Sequence, residues 1–407
     1  MSALVVRPAR DADLEDLAEI HASAYPEPGG IDHHARCLTH NAFGGLERLR
    51  VAEKNGRPVG HAALYMLEIW LGGRRVPVGG IGSLAVAPEA RRQGVARAML
   101  DALEAEIASE GGALALLYPF AQSFYARRGY AALSPLLTLE VAIDAVAALP
   151  AVGAGEFSTI RLAGNWVREA RALYEAVGES SAGRVVRSES RWMKLFAREH
   201  WHWMGVVSQE GRLAGYVSFS YEGRPLGRDQ TLVVHELTAR DAPAARALLR
   251  ACGNQRDQVA RLEITIPYGD PLALAFEDGA GSRRAKNDTH PIGTVFIGPM
   301  VRIVDLRRSL VARGYGADGE LAFACTDGES VRISVSGGVA HAFELQGAGD
   351  PESTVRELSS ATLASIVTAG VRFSEAAQLG LLRAGAPALR LADQMFAGPR
   401  FQCLDPF

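Results

Sequence analysis

One stretch concentrates residues whose types and spacing could do chemistry: Gly82-Ser83-Leu84-Ala85-Val86-Ala87-Pro88-Glu89-Ala90-Arg91-Arg92-Gln93-Gly94-Val95-Ala96-Arg97. An apolar strand stops at Pro88, and a turn of the form Arg91-x-x-Gly94-x-Ala96 then opens a long helix. Small residues in that turn stand where a backbone must approach a ligand closely. The first N–H groups of a helix have no intrahelical acceptor, so with Arg91, Arg92 and Arg97 beside them they form a nest for phosphate. The strand ahead has backbone groups that can pair with an extended, amide-containing ligand, as in strand addition.

Other chemical groupings are weaker. His200 and His202, in His-Trp-His-Trp, have the period of a strand face and no third ligand nearby, so no metal site is expected. Asp32, His33 and His34 fall in the loop-like stretch Pro26 to His40, read here as a solvated loop, with a wall of the substrate site as the alternative. The motifs of serine hydrolases, zinc proteases and P-loop proteins are absent from the sequence.

The elements that must position the first site repeat along the chain. A short strand, Leu4 to Arg7, precedes a helix capped at Asp11-Ala-Asp13, with Leu14, Leu17, Ile20 and His21 at helical spacing. The same phrase returns as Ser158-Thr-Ile160-Arg161-Leu162 followed by the amphipathic run Trp166 to Val177. The hairpin-like segment around Gly56 and Gly60 is likewise echoed around Gly211 and Gly215, at nearly the same offset. This is the signature of a duplication. Residues 1–146 and 150–297 are therefore read as sister domains, and 298–407 as an independent α+β unit. In that last unit the pattern predicts a helix over Val304 to Arg313, strands over 320–326, 330–336 and 338–345, and helices over 352–369 and 373–383. The second copy is degenerate at the chemical segment. After Val233-Val-His-Glu-Leu237 comes Ala239-Arg-Asp-Ala-Pro243, with no glycine, and Pro243 lacks an N–H.

Composition bounds the partners. With 407 residues, 48% hydrophobic and a net charge of -3, the chain is globular and has no global field to recruit nucleic acid or an anionic membrane. Cys37, Cys252, Cys325 and Cys403 form no Cys-x-x-Cys pair, which fits a reducing cytoplasm. No apolar run has the length of a signal core or a membrane span, so secretion and membrane insertion are not expected.

Strand, Val-Ala-Pro, Arg-x-x-Gly-x-Ala and helix together resemble the acetyl-coenzyme A motif of the GNAT N-acetyltransferases. The opening strand and helix, the Gly56 to Gly60 hairpin and the closing Phe124-Tyr125-Ala126-Arg127-Arg128-Gly129-Tyr130 follow in that family's order. Two such domains, the second degenerate, then an α+β domain similar to sterol carrier proteins and a terminal phenylalanine, resemble the enhanced intracellular survival (Eis) family over essentially the whole chain. The resemblance implies an α/β fold with a terminal α+β domain, acetyl-coenzyme A as co-substrate and a cationic amine as acceptor: an aminoglycoside, a polyamine or a lysine side chain. It places the cofactor on Leu84, Ala85 and Val86, on Arg92, Gln93, Gly94, Val95, Ala96 and Arg97, and on Phe120 and Ala121. It makes Tyr125 the acid and the terminal carboxylate of Phe407 the base, with Ser83, Tyr118 and Asp405 near the acceptor. A phenol, with a pKa of ~10, is a credible donor to a thiolate, and burial among apolar residues would raise a carboxylate from ~3.5 toward useful basicity. Pro406 stands where an acidic neighbour would help bind a cation. No metal is implied, and a homo-oligomer, a hexamer, is. The alternative is a lipid or sterol carrier with a vestigial acetyltransferase half, for which an intact Gly94 nest would have no purpose.

Overall fold

The computed structural model describes residues 4–41, 43–153, 156–223, 230–276, 291–344, 353–405 and 407. The chain divides into two compact units: one of residues up to Leu133 with Pro299–Gly398 and Asp405–Phe407, the other of Ser134–Gly298 with Pro399–Leu404.

The first segment contains β1 (Leu4–Pro8), α1 (Leu14–Ala24), α2 (Gly30–Thr39), β2 (Leu49–Lys54), β3 (Arg57–Leu71), β4 (Arg74–Val86), α3 (Val95–Ser109), β5 (Leu114–Leu117), α4 (Gln122–Ala126) and β6 (Ala131–Ala132). The second contains β7 (Pro135–Ala142), α5 (Ile143–Ala147), β8 (Phe157–Arg161), α6 (Val167–Gly178), α7 (Glu189–Phe196), β9 (His202–Ser208), β10 (Leu213–Glu222), β11 (Thr231–Ala239), α8 (Ala242–Gly253), β12 (Arg261–Pro267) and β13 (Gly293–Ile297). The last contains β14 (Met300–Ile303), α9 (Leu306–Ala312), β15 (Gly319–Cys325), β16 (Val331–Ser336), β17 (Val339–Glu344), β18 (Thr354–Leu358), α10 (Ser360–Val367), α11 (Phe373–Gln378) and α12 (Ala386–Met395).

The two large sheets have one topology. The first runs β1-β2-β3-β4-β5-β14-β6 and the second, read from its opposite end, β8-β9-β10-β11-β12-β7-β13. Each has a single parallel contact, β4 with β5 and β11 with β12. The duplication read from the sequence is thus present strand for strand. One detail departs from the sequence-based boundaries. β7, which follows the first repeat in the chain, pairs with β12 of the second sheet, whereas β14, which follows the second repeat, pairs with β5 of the first. The units exchange one strand each, so the structural boundary falls at Leu133 rather than 146, and Met300–Ile303 serves the first sheet, not the terminal domain.

β4 outruns its parallel neighbour. Pairing with β5 covers only Val78 to Ile81, while β4 continues to Val86 beside β3. α3 lies against this sheet through Val95, Met99, Leu103 and Ile107, which recur at helical spacing and are buried with Leu64 and Ile81.

The terminal four-stranded sheet, β17-β16-β15-β18, encloses a core with Phe323, Ile333, Phe373 and Phe396. Two expectations change here. Residues 354–358 form a strand, parallel to β15, and the helix expected from 352 starts at Ser360, where the Ser359 hydroxyl accepts from the Thr362 N–H at 3.1 Å and caps it. The pattern also missed α12, the helix opened by Pro387 in its first turn. Among the described residues, no helix is long and apolar enough to cross a membrane.

Within the first unit the terminal segment meets the β3–β4 turn through its backbone. The Gly314 N–H donates to Leu71 O at 3.1 Å, and a Cβ on Gly314 would stand 1.9 Å from Gly72 O. Gly314→Ala is expected to destabilise the protein by about 1–3 kcal/mol, because backbone must move to admit the methyl. Urea unfolding checks this: a midpoint unchanged from the parent would show that the contact relaxes at no cost.

Candidate active site

The open end of β4 is the centre of the site. The Ala87 N–H donates to Val59 O at 3.0 Å, and Ala85 lies opposite His61, so the backbones of residues 85 and 87 face β3. By strand alternation those of Leu84 and Val86 face the edge that β5 has left. A register shift separates the pairs Ala63–Gly82 and His61–Ala85, and Ser83 sits in it at φ 48°, an αL conformation unusual for serine. This bulge turns the strand away from β5.

The turn that follows closes the other end. Gly94, at φ 84°, is the N-cap of α3, and no atom lies within 4 Å of where its Cβ would be. Glycine is therefore needed there for its backbone conformation and not for room. No side chain caps α3, so its first N–H groups and the positive end of its dipole face outward. A cavity of about 470 Å³ connects this turn with the β4 edge. Leu84, Ala85, Val86, Arg92, Gly94, Val95, Ala96, Arg97 and Phe120, all named above for the cofactor, line it. Gln93 and Ala121 do not. Gln93 is exposed, donating to Glu89 O at 2.7 Å and accepting from Lys54 at 2.9 Å, and Ala121 is the N-cap of α4.

Tyr125, on α4, is buried among Phe120, Phe124 and Tyr130, with ring centroids 5.0–5.8 Å away. Burial pushes its phenol well above the ordinary value, and the nearby Tyr25 adds to the shift. The Tyr130 hydroxyl donates to Glu104 at 3.0 Å, and Arg302 stands 2.8 Å from the same carboxylate. Phe407 reaches β4 from the opposite face. A Cβ on Gly82 would lie 2.8 Å from both the carboxyl carbon and an oxygen of Phe407, and one on Gly80 2.8 Å from its ring. Tyr118 and Phe43 meet that ring edge-on at 5.5 and 6.3 Å. Thus the terminal carboxyl group adjoins the bulge that contains Ser83. Asp405 is buried, and Pro406 lies outside the described residues.

Three features escaped the sequence reading. The Tyr25 hydroxyl, just past α1, donates to Leu84 O at 3.2 Å. Arg91, noted only for its charge, donates to Val86 O at 3.2 Å and to Ser23 O at 3.3 Å. The third corrects the loop expected over residues 26–40: Gly30–Thr39 is helix α2, and His34 is buried on it. Its Nδ1 lies 2.9 Å from Nδ1 of His21, whose ring stacks on the fully buried His61 at 5.6 Å. Helical spacing within α2 could have revealed this, but the flanking Pro26, Pro28, Gly29 and Gly30 masked it.

The equivalent place in the second unit is closed by its own side chains. Asp241 caps α8, accepting from the Ala244 N–H at 2.9 Å, so a carboxylate occupies the helix start where an anion would bind. On β11, Glu236 is ion-paired with buried Arg187 and accepts from Tyr216. This copy has no phosphate nest.

Known proteins match this layout. A GNAT acetyltransferase domain is recognised over residues 5–133 and a second over 183–303. N-acetyltransferase Eis of Mycobacterium tuberculosis is 30% identical over 315 residues, covering 73% of this chain and 74% of that protein. The chain belongs to the Eis family of N-acetyltransferases. Among solved structures, a GCN5-related N-acetyltransferase from Anabaena variabilis shares the fold with a TM-score of 0.83 at 22% identity, and Eis1 from Mycobacterium abscessus with 0.75 at 21%, each over 100% of both chains. This Eis-type protein is therefore an N-acetyltransferase, and GNAT domains take acetyl-coenzyme A as co-substrate.

The histidine cluster gives this Eis-type fold a pH dependence. Burial, reinforced by His34, lowers His21 to about 4; burial, reinforced by His21 and opposed by the Ser83 backbone, lowers His61 to about 3. Unfolded, each titrates near 6.5, so below that pH the unfolded chain binds more protons and stability falls progressively toward pH 4. Urea midpoints at pH 7.5, 6 and 5 should fall in that order, and His61→Leu should flatten the slope. Equal slopes in parent and variant would remove His61 from the account.

Proposed function

We propose that the enzyme transfers acetyl from acetyl-coenzyme A to a cationic amine of the aminoglycoside, polyamine or lysine type. The cofactor lies along Leu84, Ala85 and Val86 with its pyrophosphate at the turn Arg92, Gln93, Gly94, Val95, Ala96 and Arg97, and with Phe120 and Ala121 beside it. Ser83, Tyr118 and Asp405 belong to the acceptor side. The observation that carries this reading is the juxtaposition of the Phe407 carboxyl group with Gly82, next to the bulge at the open end of β4.

The amine nitrogen, neutral after giving its extra proton to solvent, attacks the thioester carbonyl carbon, forming the C–N bond, and the C–S bond then breaks. The Phe407 carboxylate takes the proton that nitrogen loses. Tyr125, kept protonated by burial, gives its proton to the departing thiolate. Phe407 packs against the buried cluster of Leu49, Ala63 and Tyr65, the apolar setting in which a carboxylate gains basicity. The carrier alternative has less support, since an open turn at Gly94 and a free β4 edge serve a phosphate-bearing ligand and not a sterol. The terminal sheet with α10, α11 and α12 is the sterol-carrier-like part of the family pattern. A cytoplasmic homo-oligomer, a hexamer by family resemblance, is the expected form. The edge strand β13, where Val295 and Phe296 are 51% and 39% exposed, is a surface such an assembly would cover.

Two tests address the roles. With aminoglycosides, polyamines and lysine peptides screened by thiol release, Tyr125→Phe should lower kcat by ~10²-fold or more while acetyl-coenzyme A affinity stays within about twofold. A loss confined to affinity would make Tyr125 a packing residue, and no turnover of any cationic amine would overturn the acceptor class. Extending the chain beyond Phe407 replaces the carboxylate by an amide without basicity. Such a protein, its extension verified intact by mass spectrometry, should lose acetyl transfer but bind acetyl-coenzyme A. Full activity would transfer the role of base to another group.

A further inference from the structure

The two carbonyls that face the open edge of β4 are both engaged by donors of the chain itself. Tyr25 Oη donates to Leu84 O at 3.2 Å, and Arg91 Nε donates to Val86 O at 3.2 Å. Arg91 Nη2 donates in addition to Ser23 O at 3.3 Å, which ties the guanidinium to the backbone two residues before Tyr25. Segment 23–25 is thus tied to the edge twice, by Tyr25 at Leu84 and through Arg91 at Val86. All of these residues line the 470 Å³ cavity.

We propose that Tyr25 and Arg91 form a displaceable bridge across the cofactor strand, competing with the amide N–H groups of coenzyme A for Leu84 O and Val86 O. This rests on the assignment of acetyl-coenzyme A to that edge. An extended ligand must lie in the plane of the sheet along residues 84–86 to pair with it. The Ser23–Arg91–Val86 connection crosses that path, so binding requires the bridge to open. A carbonyl in an accessible cavity exchanges one donor for another at small net gain, which makes the exchange reversible. Arg91 has a second partner ready when it leaves Val86: it opens the turn that ends at Gly94, where the phosphates are assigned. Tyr25 has no such compensation. Its hydroxyl opposes binding, whereas a residue that held the ligand would favour it.

The test is the sign of the change at Tyr25. Stopped-flow and calorimetric binding of coenzyme A and of acetyl-coenzyme A to the full chain should show Tyr25→Phe binding roughly three- to tenfold more tightly, through a faster association rate, as one hydrogen bond need not be broken. Tyr25→Leu should shift in the same direction. Equal or weaker binding by both folded variants, beside a parent that binds, overturns the bridge and leaves the cofactor assignment standing. A folded parent that binds neither ligand overturns the cofactor assignment, and the bridge with it.

Discussion

A β-strand that outlives its neighbour exposes carbonyl and N–H groups that must find partners, and the rest of this structure is arranged around that requirement. β4 loses β5 after Ile81, and the bulge at Ser83 then swings the strand outward while β3 keeps hold of its other edge. Most of what the Eis-type reading assigns to chemistry lies at this opening, although Gln93 and Ala121 stay out of its cavity. The arginine-rich turn and α3 stand at its far end, Tyr125 beside it on one face and the Phe407 carboxyl group on the other.

In the duplicated half the same opening is filled by side chains of the chain itself. β11 also continues past its parallel partner, which it leaves after Val234, and it carries a register shift against β10 at the corresponding place. There the fold supplies its own charges: Arg187 pairs with Glu236, and Asp241 caps the following helix. An ion pair inside a protein is weak support for stability when measured against apolar packing, but removing one member leaves a buried charge unpaired. That copy is therefore committed to being closed. The first copy, with no side chain on the start of α3 and only single hydrogen bonds on its edge carbonyls, stays open to exchange.

Much of this was legible in the sequence because it depends on local chemistry. Gly94 and the arginines around it mark the turn whatever the rest of the chain does, and the paired phrases at Arg7 and Arg161 mark the duplication. The strand exchange was not legible: apolar and polar residues alternate along β7 from Leu137 to Val141, but alternation says nothing about which sheet receives a strand. β18 was hidden because Val355 and Leu358 fit a helical period as well as a strand, and Ser359, the cap that separates strand from helix, is legible only once the break is known. Tyr25 and the histidine cluster are long-range facts. Tyr25 acquires its contact from a carbonyl on a strand far along the chain, His61 stacks on His21 across 40 residues of sequence, and the Pro- and Gly-rich junction ahead of α2 disguised the helix that carries His34.

The terminal carboxylate was foreseeable only through the family pattern, because nothing intrinsic to a chain end says where it will be seated. The structure supplies the missing half of that argument on β4 and not in the tail. Gly80 and Gly82 alternate on one face of the strand, and at both a Cβ would collide with Phe407, with its ring at one and its carboxyl group at the other. Side chains on that face would keep the tail off the sheet. Their absence makes a slot one ring deep, flanked by Tyr118 and Phe43 and backed by Tyr65 beneath Gly82. Aromatic edges hold the ring in a fixed orientation, which a flexible chain end would otherwise lack. A carboxyl group on a side chain is positioned by its rotamer; that of Phe407 is positioned by what its ring fills, so Gly80 and Gly82 of β4 decide where it sits.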